Sequence, residues 1–228
     1  GNNAINNMYK QDVKDVAFVV CNTDNQALEN SPVSKKLLLG PTITRGKGAG
    51  NDPKKAQKAA EESEDDIREM LSNGTKMVFI TAGMGGGTGT GAAPVVARVA
   101  RELGLLTIGI VTIPFLFEGQ TKIEKALDGA DEMSKYVDAL LVINNEKLSE
   151  IYSDLSLDDA FDRADDTLSV AAKSIAEIIT MRGKVNLDFN DVKTVLKDGG
   201  VAIMSTGYGE GENRVTTAIQ NAQHSPLL

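Results

Sequence analysis

Short runs of apolar and β-branched residues alternate with amphipathic stretches along most of this 228-residue chain. The runs typical of strands are VAFVVC, KKLLLG, MVFITAG, LLTIGIVTIP and ALLVINN. Between several of them, apolar residues recur at helical spacing, with charged residues on the opposite face, over 52–73, 93–104 and 122–137. This alternation predicts an α/β fold in which helices cover both faces of a mostly parallel sheet.

A long helical pattern begins near Asp159 and ends before Gly183. Its length suggests a central helix around which the fold is organised. The remaining sequence offers one strand, a glycine-rich turn and one helix, which are too few for a separate domain. We therefore expect a first domain over 1–182 that includes the long helix. Residues 183–228 are expected to contain a loop, a helix and the start of a second domain that is truncated.

The charge balance limits the partners that this chain can have. Lysine and arginine number 24 against 32 acidic residues, a net charge of −8, which disfavours the broad phosphate contacts of nucleic-acid binding. Tryptophan is absent and aromatic residues make up 4% of the chain, so a platform for stacking the bases of single strands is also disfavoured. The sequence contains no signal-peptide pattern and no apolar run that could span a bilayer. We expect a soluble protein without nucleic-acid partners or direct membrane insertion.

The chain contains one cysteine, Cys21, and one histidine, His224. A single cysteine cannot form an internal disulfide and suits a reducing cytoplasm, so we expect Cys21 to be a buried structural thiol. A lone histidine near the end of the chain offers no metal cluster. We expect no metal site made by protein side chains.

The segment Met84–Pro94 places five glycines and two threonines between a strand pattern and a helix pattern. Glycines remove side-chain bulk and permit positive φ, so successive N–H groups can converge on an anion at the start of the helix. Pro94 suits the first turn of that helix. A mobile linker is the alternative, although linkers rarely separate a buried strand from an apolar helix. The segment predicts a phosphate cradle.

This cradle belongs to neither of two common phosphate-binding motifs. The segment GPTITRGKGAG has the wrong spacing for a P-loop and no hydroxyl after its lysine. The strict G-x-G-x-x-G fingerprint does not occur, which disfavours a dinucleotide-dependent oxidoreductase. Two further loops with small or amide-bearing residues, 1–3 and 46–53, are expected at the same edge of a parallel sheet. Loops that converge there can enclose a triphosphate without one long motif.

Several segments, in their order and spacing, closely resemble the FtsZ family of bacterial cell-division GTPases, which are relatives of tubulin. These segments are CNTDNQAL, RGKGAGNDP, TAGMGGGTGTGAAPVVA, PFLFEG and NLDFNDVKTVL. The resemblance runs from Gly1 to Leu228 and implies a Rossmann-like, doubly wound GTPase domain. It also implies that the family's first strand and glycine-rich loop, before Gly1, and its activation domain and tail, after Leu228, are missing. Because that strand lies inside the sheet, we expect a chain starting at Gly1 to be unstable or to fill the gap with another segment.

The resemblance implies that the chain binds GTP or GDP. Its implied phosphate contacts are Gly86, Gly87, Thr88, Gly89 and Thr90 in the cradle, Ala49 and Gly50 on the γ-phosphate side, and Gly1, Asn2 and Asn3 from the end of the family's first nucleotide loop. For Asn2 and Asn3, capping of the following helix is the alternative.

The resemblance also implies contacts to the sugar and the base. Glu118 matches the family's ribose-binding glutamate and Asn145 a residue near the sugar, whereas Lys122 stands where the family commonly has arginine and lacks its planar fork. Phe161 and Asp165 lie on one helical face. An aromatic ring can stack on a purine, and a carboxylate can accept hydrogen bonds from guanine N1–H and N2–H₂. From the residues alone, a core phenylalanine beside a solvated acid is the commoner arrangement, and Asn145 fits a turn.

The motif NLDFNDV contains Asn186, Asp188 and Asp191. From the residues alone it is a capped turn before a helix. In the family, this loop enters the nucleotide site of the next subunit, where its acidic residues position or polarise the attacking water. The resemblance implies that these side chains complete the active site in trans. The cradle and a Mg²⁺ ion, held mainly by nucleotide and water, would stabilise charge on the phosphoryl group.

A head-to-tail contact of this kind is heterologous and generates an open filament. The resemblance therefore implies that the chain's partners are copies of itself, with other division proteins bound through a C-terminal tail that this sequence lacks. It implies a cytoplasmic location at the midcell division ring. Two alternatives remain open: a fragment that binds guanine nucleotide without hydrolysing it, and a tubulin-like filament GTPase of plasmid partition.

Overall fold

The computed structural model describes residues 1–11, 13, 16–151, 156–180, 188–202, 205 and 207–223. The strands are β1 (Val19–Asn22), β2 (Lys35–Leu38), β3 (Met77–Gly83), β4 (Leu106–Ile113), β5 (Ala139–Asn144) and β6 (Gly200–Ala202). The helices are α1 (Asn2–Lys10), α2 (Asn25–Glu29), α3 (Pro41–Thr44), α4 (Pro53–Glu62), α5 (Glu64–Leu71), α6 (Thr88–Glu102), α7 (Gln120–Ser134), α8 (Asn145–Ile151), α9 (Leu157–Thr180), α10 (Phe189–Leu196) and α11 (Arg214–Gln223), with a 3₁₀ turn at Leu116–Glu118. Within these ranges, no helix combines the length and the apolar character that a membrane crossing requires.

Strands β3 to β6 form one parallel sheet in the order of the chain. Its register pairs Ile80 with Gly109 and Ile110 with Leu141. Every residue of β4 is buried, as expected for a parallel strand that is covered on both faces. The run MVFITAG is β3 with the bounds that the sequence predicts.

Alternate residues of the central strands build two cores, one on each face of the sheet. On one face, Ile108 and Ile110 pack with Met8 of α1 and Leu168 of α9. On the other face, Val111 packs in a core with residues of α6 and α7. The long helix is confirmed as α9, whose 24 described residues extend for about 36 Å. The α/β architecture with helices on both faces is therefore confirmed.

Strands β1 and β2 pair in parallel with each other and not with the larger sheet. Cys21 and Leu37 of this pair pack against Val95 and Val99 of α6, which joins the pair to the rest of the fold. Helix α1 contacts both β1 and β3. The single sheet that the alternation predicts is therefore divided, because no described strand lies between β1 and β3 to join their ladders.

Two helices differ from the sequence prediction. The stretch 52–73 has one amphipathic pattern, but the structure breaks it between α4 and α5 at Ser63, which is 1% exposed. The Ser63 hydroxyl accepts a hydrogen bond from the N–H of Gly40 at 3.0 Å, a tertiary contact that a helical pattern does not reveal. Helix α6 begins at Thr88, so Pro94 lies inside the helix and not in its first turn. Glycines are poor helix formers, so helix propensity does not predict the first turn of α6.

Other predictions concern single residues and the domain boundary. Burial raises the pKa of the Cys21 thiol to about 12, so this thiol stays protonated and unreactive. His224 lies outside the described residues. The boundary between 182 and 183 also falls outside them, and the division into 1–182 and 183–228 stays a prediction.

Candidate functional site

A cleft of about 290 Å³ lies at the carboxyl end of the parallel sheet. The segments that follow β3, β4 and β5 meet there with the beginnings of α1 and α9, as loops do beyond the carboxyl ends of parallel strands. The sequence-predicted residues that line it are Gly1, Asn3, Gly86, Glu118, Lys122, Asn145, Phe161 and Asp165. The remaining lining residues are Gly83, Met84, Thr112, Pro114 and Ala164.

The glycine segment after β3 packs tightly against the first turn of α6. Gly87 is the N-cap of this 15-residue helix. A Cβ on Gly89 would lie 2.1 Å from the carbonyl oxygen of Gly83, so glycine is needed for the helix to approach the end of β3 this closely. The first N–H groups of a helix have no acceptor within it, and the helix dipole makes this end positive. The end of α6 beside the cleft can therefore receive an anion.

The two threonines of the segment have different partners. Thr90 is buried, and its hydroxyl accepts a hydrogen bond from the N–H of Gly85 at 2.9 Å. Thr88 is half-buried, and its hydroxyl lies 2.6 Å from that of Thr23. The Thr90 hydroxyl therefore closes the loop as an acceptor and keeps its own proton, so the phosphate contact of Thr90 stays a prediction. Gly87, Thr88, Gly89 and Thr90 all lie behind or beside the cleft and not in its lining.

Loop 46–52 packs against the same glycines. A Cβ on Gly87 would lie 2.9 Å from the Cβ of buried Ala49. Gly50 is exposed and has a φ of +64°, which favours glycine. Lys125 of α7 donates a hydrogen bond to the carbonyl of Asn51 at 3.1 Å. Ala49 and Gly50 thus lie next to the cradle, outside the lining of the cleft.

Glu118 and Lys122 form an ion pair of 3.1 Å at the beginning of α7. Glu118 also accepts a hydrogen bond from the N–H of Phe115 at 3.1 Å, which fixes the 3₁₀ turn after β4. The Lys122 side chain is 43% exposed and that of Glu118 is 16% exposed, so solvent screens this pair from the lysine side. Both side chains can therefore exchange part of this contact for a ligand in the cleft.

Asn145 is the first residue after β5 and is only 5% exposed. Its Oδ1 atom is buried and has no hydrogen-bond partner among the described residues. An unsatisfied buried acceptor costs about 1–3 kcal/mol. A hydroxyl or N–H group of a ligand in the cleft would satisfy it, whereas the turn-residue alternative leaves the orphaned oxygen unexplained.

Phe161 and Asp165 both line the cleft from the first turns of α9. Phe161 makes edge-to-face contacts with Phe115 and Phe117, with ring centroids 5.3 and 6.1 Å apart. It is 39% exposed, so the alternative of a core phenylalanine is wrong. The aromatic cluster of Phe115, Phe117 and Phe161 holds a ring at the cleft with part of its surface open to a planar ligand.

Asp165 is half-buried, and burial raises its pKa above the ordinary range. A hydrogen bond from the Asn3 side chain lowers the pKa, while the nearby Asp162 and Asp166 raise it. The alternative of a solvated acid is therefore wrong. Hydrogen bonds that a ligand donates to the charged form of Asp165 would therefore stabilise that form.

Asn2 and Asn3 lie inside α1, whose N-cap is Gly1 and has no side-chain hydrogen bond. The helix-capping alternative for the two asparagines is therefore wrong. Asn3 lines the cleft, but Asn2 does not, and the Nδ2 atom of Asn2 is buried without a partner among the described residues.

Asp188 and Asp191 form a reciprocal capping box at the start of α10. The Asp188 carboxylate accepts hydrogen bonds from the N–H groups of Asn190 and Asp191 at 2.7 and 3.0 Å, and the Asp191 carboxylate accepts one from the N–H of Asp188 at 3.1 Å. Both residues lie outside the cleft, so one copy of the chain does not bring them to it. Asn186 lies outside the described residues.

Sequence reasoning missed several lining residues and the aromatic cluster. Gly83 ends β3 and pairs with Thr112, the last residue but one of β4, and their place at the carboxyl edge of the sheet was the available signal. Phe115 and Phe117 belong to the PFLFEG motif, but no periodicity shows that they meet Phe161 of a distant helix. Among the described residues, no three His, Cys, Asp or Glu side chains are grouped to hold a metal ion.

Comparisons with known proteins agree on one family. The model of the tubulin/FtsZ family, GTPase domain, matches residues 1–153. The chain is 62% identical to the cell division protein FtsZ of Porphyromonas gingivalis, covering 100% of this chain and 50% of that protein. It is 49% identical to cell division protein FtsZ 1 of Thermococcus kodakarensis, with 100% of this chain and 61% of that protein covered. The chain thus spans about half the length of the P. gingivalis relative.

A solved structure described as an empty FtsZ dimer of M. jannaschii matches the fold with a TM-score of 0.94. Its sequence is 42% identical, and the match covers 100% of this chain and 66% of that one. The similarity therefore includes every element that surrounds the cleft.

Proposed function

Since this chain belongs to the tubulin/FtsZ family by its GTPase domain, we propose that it binds GTP in the cleft and hydrolyses it to GDP and phosphate. One observation carries the proposal: the glycine-rich N-terminus of α6 lies beside the cleft, and the half-buried carboxylate of Asp165 lines the same cleft. The first suits phosphates and the second suits guanine.

The triphosphate is proposed to lie against the N-terminus of α6. Gly86, Gly87, Thr88, Gly89 and Thr90 offer backbone N–H groups there. Ala49 and Gly50 then face the γ-phosphate, since loop 46–52 packs on Gly87. A Mg²⁺ ion on the phosphates would neutralise part of their charge. In keeping with the described donor set, we propose that nucleotide and water hold it.

The nucleoside is proposed to lie between Asn145 and α9. A ribose hydroxyl would satisfy the orphaned Asn145 Oδ1, and Glu118 and Lys122 offer an acceptor and a donor beside it. The purine would stack on Phe161 and donate its N1–H and N2–H₂ to Asp165. Adenine presents a lone pair at N1, which the carboxylate repels, so the site selects guanine.

Hydrolysis is proposed to need a second copy of the chain. Asn186, Asp188 and Asp191 of that copy would enter the cleft and orient the water that attacks the γ-phosphorus, with GDP as the leaving group. The capping box supports this role, because it holds both exposed carboxylates in a fixed position at a helix start.

Repetition of this contact would build a head-to-tail filament, since the two surfaces that meet are different. We propose that filaments of this kind serve cell division, the process that the names of the relatives give, and that they do so at a cytoplasmic midcell ring. Other division proteins are proposed to bind outside residues 1–228.

The test is GTP turnover per subunit as a function of protein concentration, with the complete gene product and an Asp191→Asn variant. Asparagine keeps an oxygen for the cap and removes the charge, so α10 should persist. We expect specific activity to rise with concentration in the unaltered protein and to fall by about a hundredfold or more in the variant. Activity that is independent of concentration would contradict completion of the site in trans, and nucleotide binding without turnover would favour a binding-only role.

A further inference from the structure

Thr23 is a fully buried polar residue directly behind the phosphate cradle. It follows β1 and is 0% exposed. Its hydroxyl lies 2.6 Å from the hydroxyl of Thr88, a short contact across 65 residues of sequence. Thr23 does not line the cleft, so it can act on a ligand only through another residue.

The backbone of Thr23 holds a second loop at the same place. Its carbonyl accepts a hydrogen bond from the N–H of Gly48 at 2.9 Å, and the next residue, Asp24, forms an antiparallel bridge with Lys47. Loop 46–52 in turn packs Ala49 against Gly87, the residue before Thr88. Thr23 thus connects the two loops that we assign to the phosphates.

The direction of the hydroxyl contact decides what Thr88 can offer. Each hydroxyl carries one proton. Among the described residues, the hydroxyl of buried Thr23 has Thr88 as its only partner, whereas half-buried Thr88 is the first residue of α6, at the helix end that can receive an anion. If Thr23 donates, the Thr88 proton is free for a phosphate oxygen.

We propose that Thr23 is a positioning residue whose hydroxyl donates to Thr88 Oγ1 and so directs the Thr88 proton to the nucleotide phosphates. This inference rests on the proposed function. It adds that Thr23 acts on phosphate affinity through Thr88 and not on the nucleoside.

The test is a double-mutant cycle in the complete gene product with Thr23→Val, Thr88→Val and the double variant. GDP and guanosine affinities are measured by calorimetry. We expect Thr23→Val to weaken GDP binding by about three- to tenfold, the worth of one hydrogen bond, and to leave guanosine affinity within about twofold. In the Thr88→Val background, Thr23→Val should have no further effect, and Thr23→Ser should restore GDP affinity.

The matched control is Thr107→Val. Thr107 is equally buried, and its hydroxyl donates to the carbonyl of Leu105 at 3.1 Å, at the beginning of β4 and away from the cleft. This variant should lower stability without changing GDP affinity. If Thr23→Val does not fold, Thr23→Cys replaces the hydroxyl with a weak donor and should show the same dependence on Thr88.

The outcomes separate the two proposals. If the unaltered protein binds no guanine nucleotide, the proposed function fails. If it binds GDP but the two valine effects add, or guanosine weakens as much as GDP, the function stands and the role of Thr23 is wrong.

Discussion

At the scale of single residues, Asp165 is subject to two opposing requirements. Burial favours its neutral form, whereas recognition of guanine needs the anion, which accepts from both N1–H and N2–H₂. The folded pKa lies above the ordinary value, so the folded state binds more protons than the unfolded state between these two values. Stability of the nucleotide-free protein therefore falls as pH rises through that window. In the proposed complex, the guanine donors would stabilise the anion and offset this cost.

The affinity for guanine nucleotide should consequently depend on pH. We expect GDP affinity to be constant above the raised pKa of free Asp165 and to fall by up to about tenfold per pH unit below it. Calorimetric titrations with GDP across the acidic range measure this, with an Asp165→Asn variant as the control. The variant should bind about ten- to a hundredfold more weakly and lose this component of the pH dependence, leaving only the titration of the phosphates. Identical pH profiles for the two proteins would contradict the role of Asp165.

Sequence reasoning reached some residues of the site better than others. Phe161 and Asp165 could be predicted as a pair because they share one face of a single helix. The hydroxyl partners of Thr88 and Thr90 could not, since both residues look alike in the glycine segment and only the packing separates them. The Oδ1 atom of Asn145 likewise lacks a partner because it is buried, and a single asparagine after a strand does not predict that burial.

At the scale of elements, local pattern and tertiary contact compete. Strand β3 and the long helix follow their patterns closely, because burial and periodicity agree there. The stretch 52–73 has a helical pattern throughout, yet it is broken at Ser63 because this hydroxyl satisfies the buried N–H of Gly40.

The break between α4 and α5 makes a stability prediction. Ser63→Ala leaves the Gly40 N–H buried without an acceptor, and we expect the free energy of unfolding to fall by about 1–3 kcal/mol. Ser72→Ala is the matched control, because Ser72 is exposed and, in the part of the chain that the structure describes, its hydroxyl bonds only to the Arg68 carbonyl of the helix that it caps. Its cost should stay within about 0.5 kcal/mol. Urea unfolding of both variants measures the difference, and equal losses would show that the serine does not determine the break.

At the scale of the whole molecule, the alternation of strands and helices was sufficient to predict the architecture, and with it the edge where loops meet. The alternation could not predict that β1 and β2 pair apart from the larger sheet, because the sequence pattern of a strand does not show which strand it pairs with. The positions of Asp188 and Asp191 relative to the cleft could not be predicted from the alternation either. Asp165 and the described end of α9 are about 22 Å apart along the helix, so the chain leaves α9 far from the cleft. The proposed site is formed by two copies of the chain, so the structure of one copy does not contain all of its residues in one place.

Completion of the site by a second copy can be tested by mixing two inactive variants. Asp165→Asn should abolish most nucleotide binding but still present Asp191, whereas Asp191→Asn should bind GTP but offer a defective loop. Neither is expected to hydrolyse GTP appreciably alone. In an equal mixture, a nucleotide held by an Asp191→Asn subunit can meet Asp191 of an Asp165→Asn neighbour, so turnover should recover towards about a quarter of the unaltered level at equal total concentration, if the contacts form at random.

The proportion of the two variants provides the control. Phosphate release should pass through a maximum near an equal mixture and vanish at either end, because only unlike contacts contain one intact half-site from each copy. Adding the double variant, Asp165→Asn with Asp191→Asn, to either single variant should restore nothing. Activity that stays at the level of the separate variants in every mixture, while sedimentation shows that they assemble together, would mean that Asp191 serves the nucleotide of its own chain or none at all.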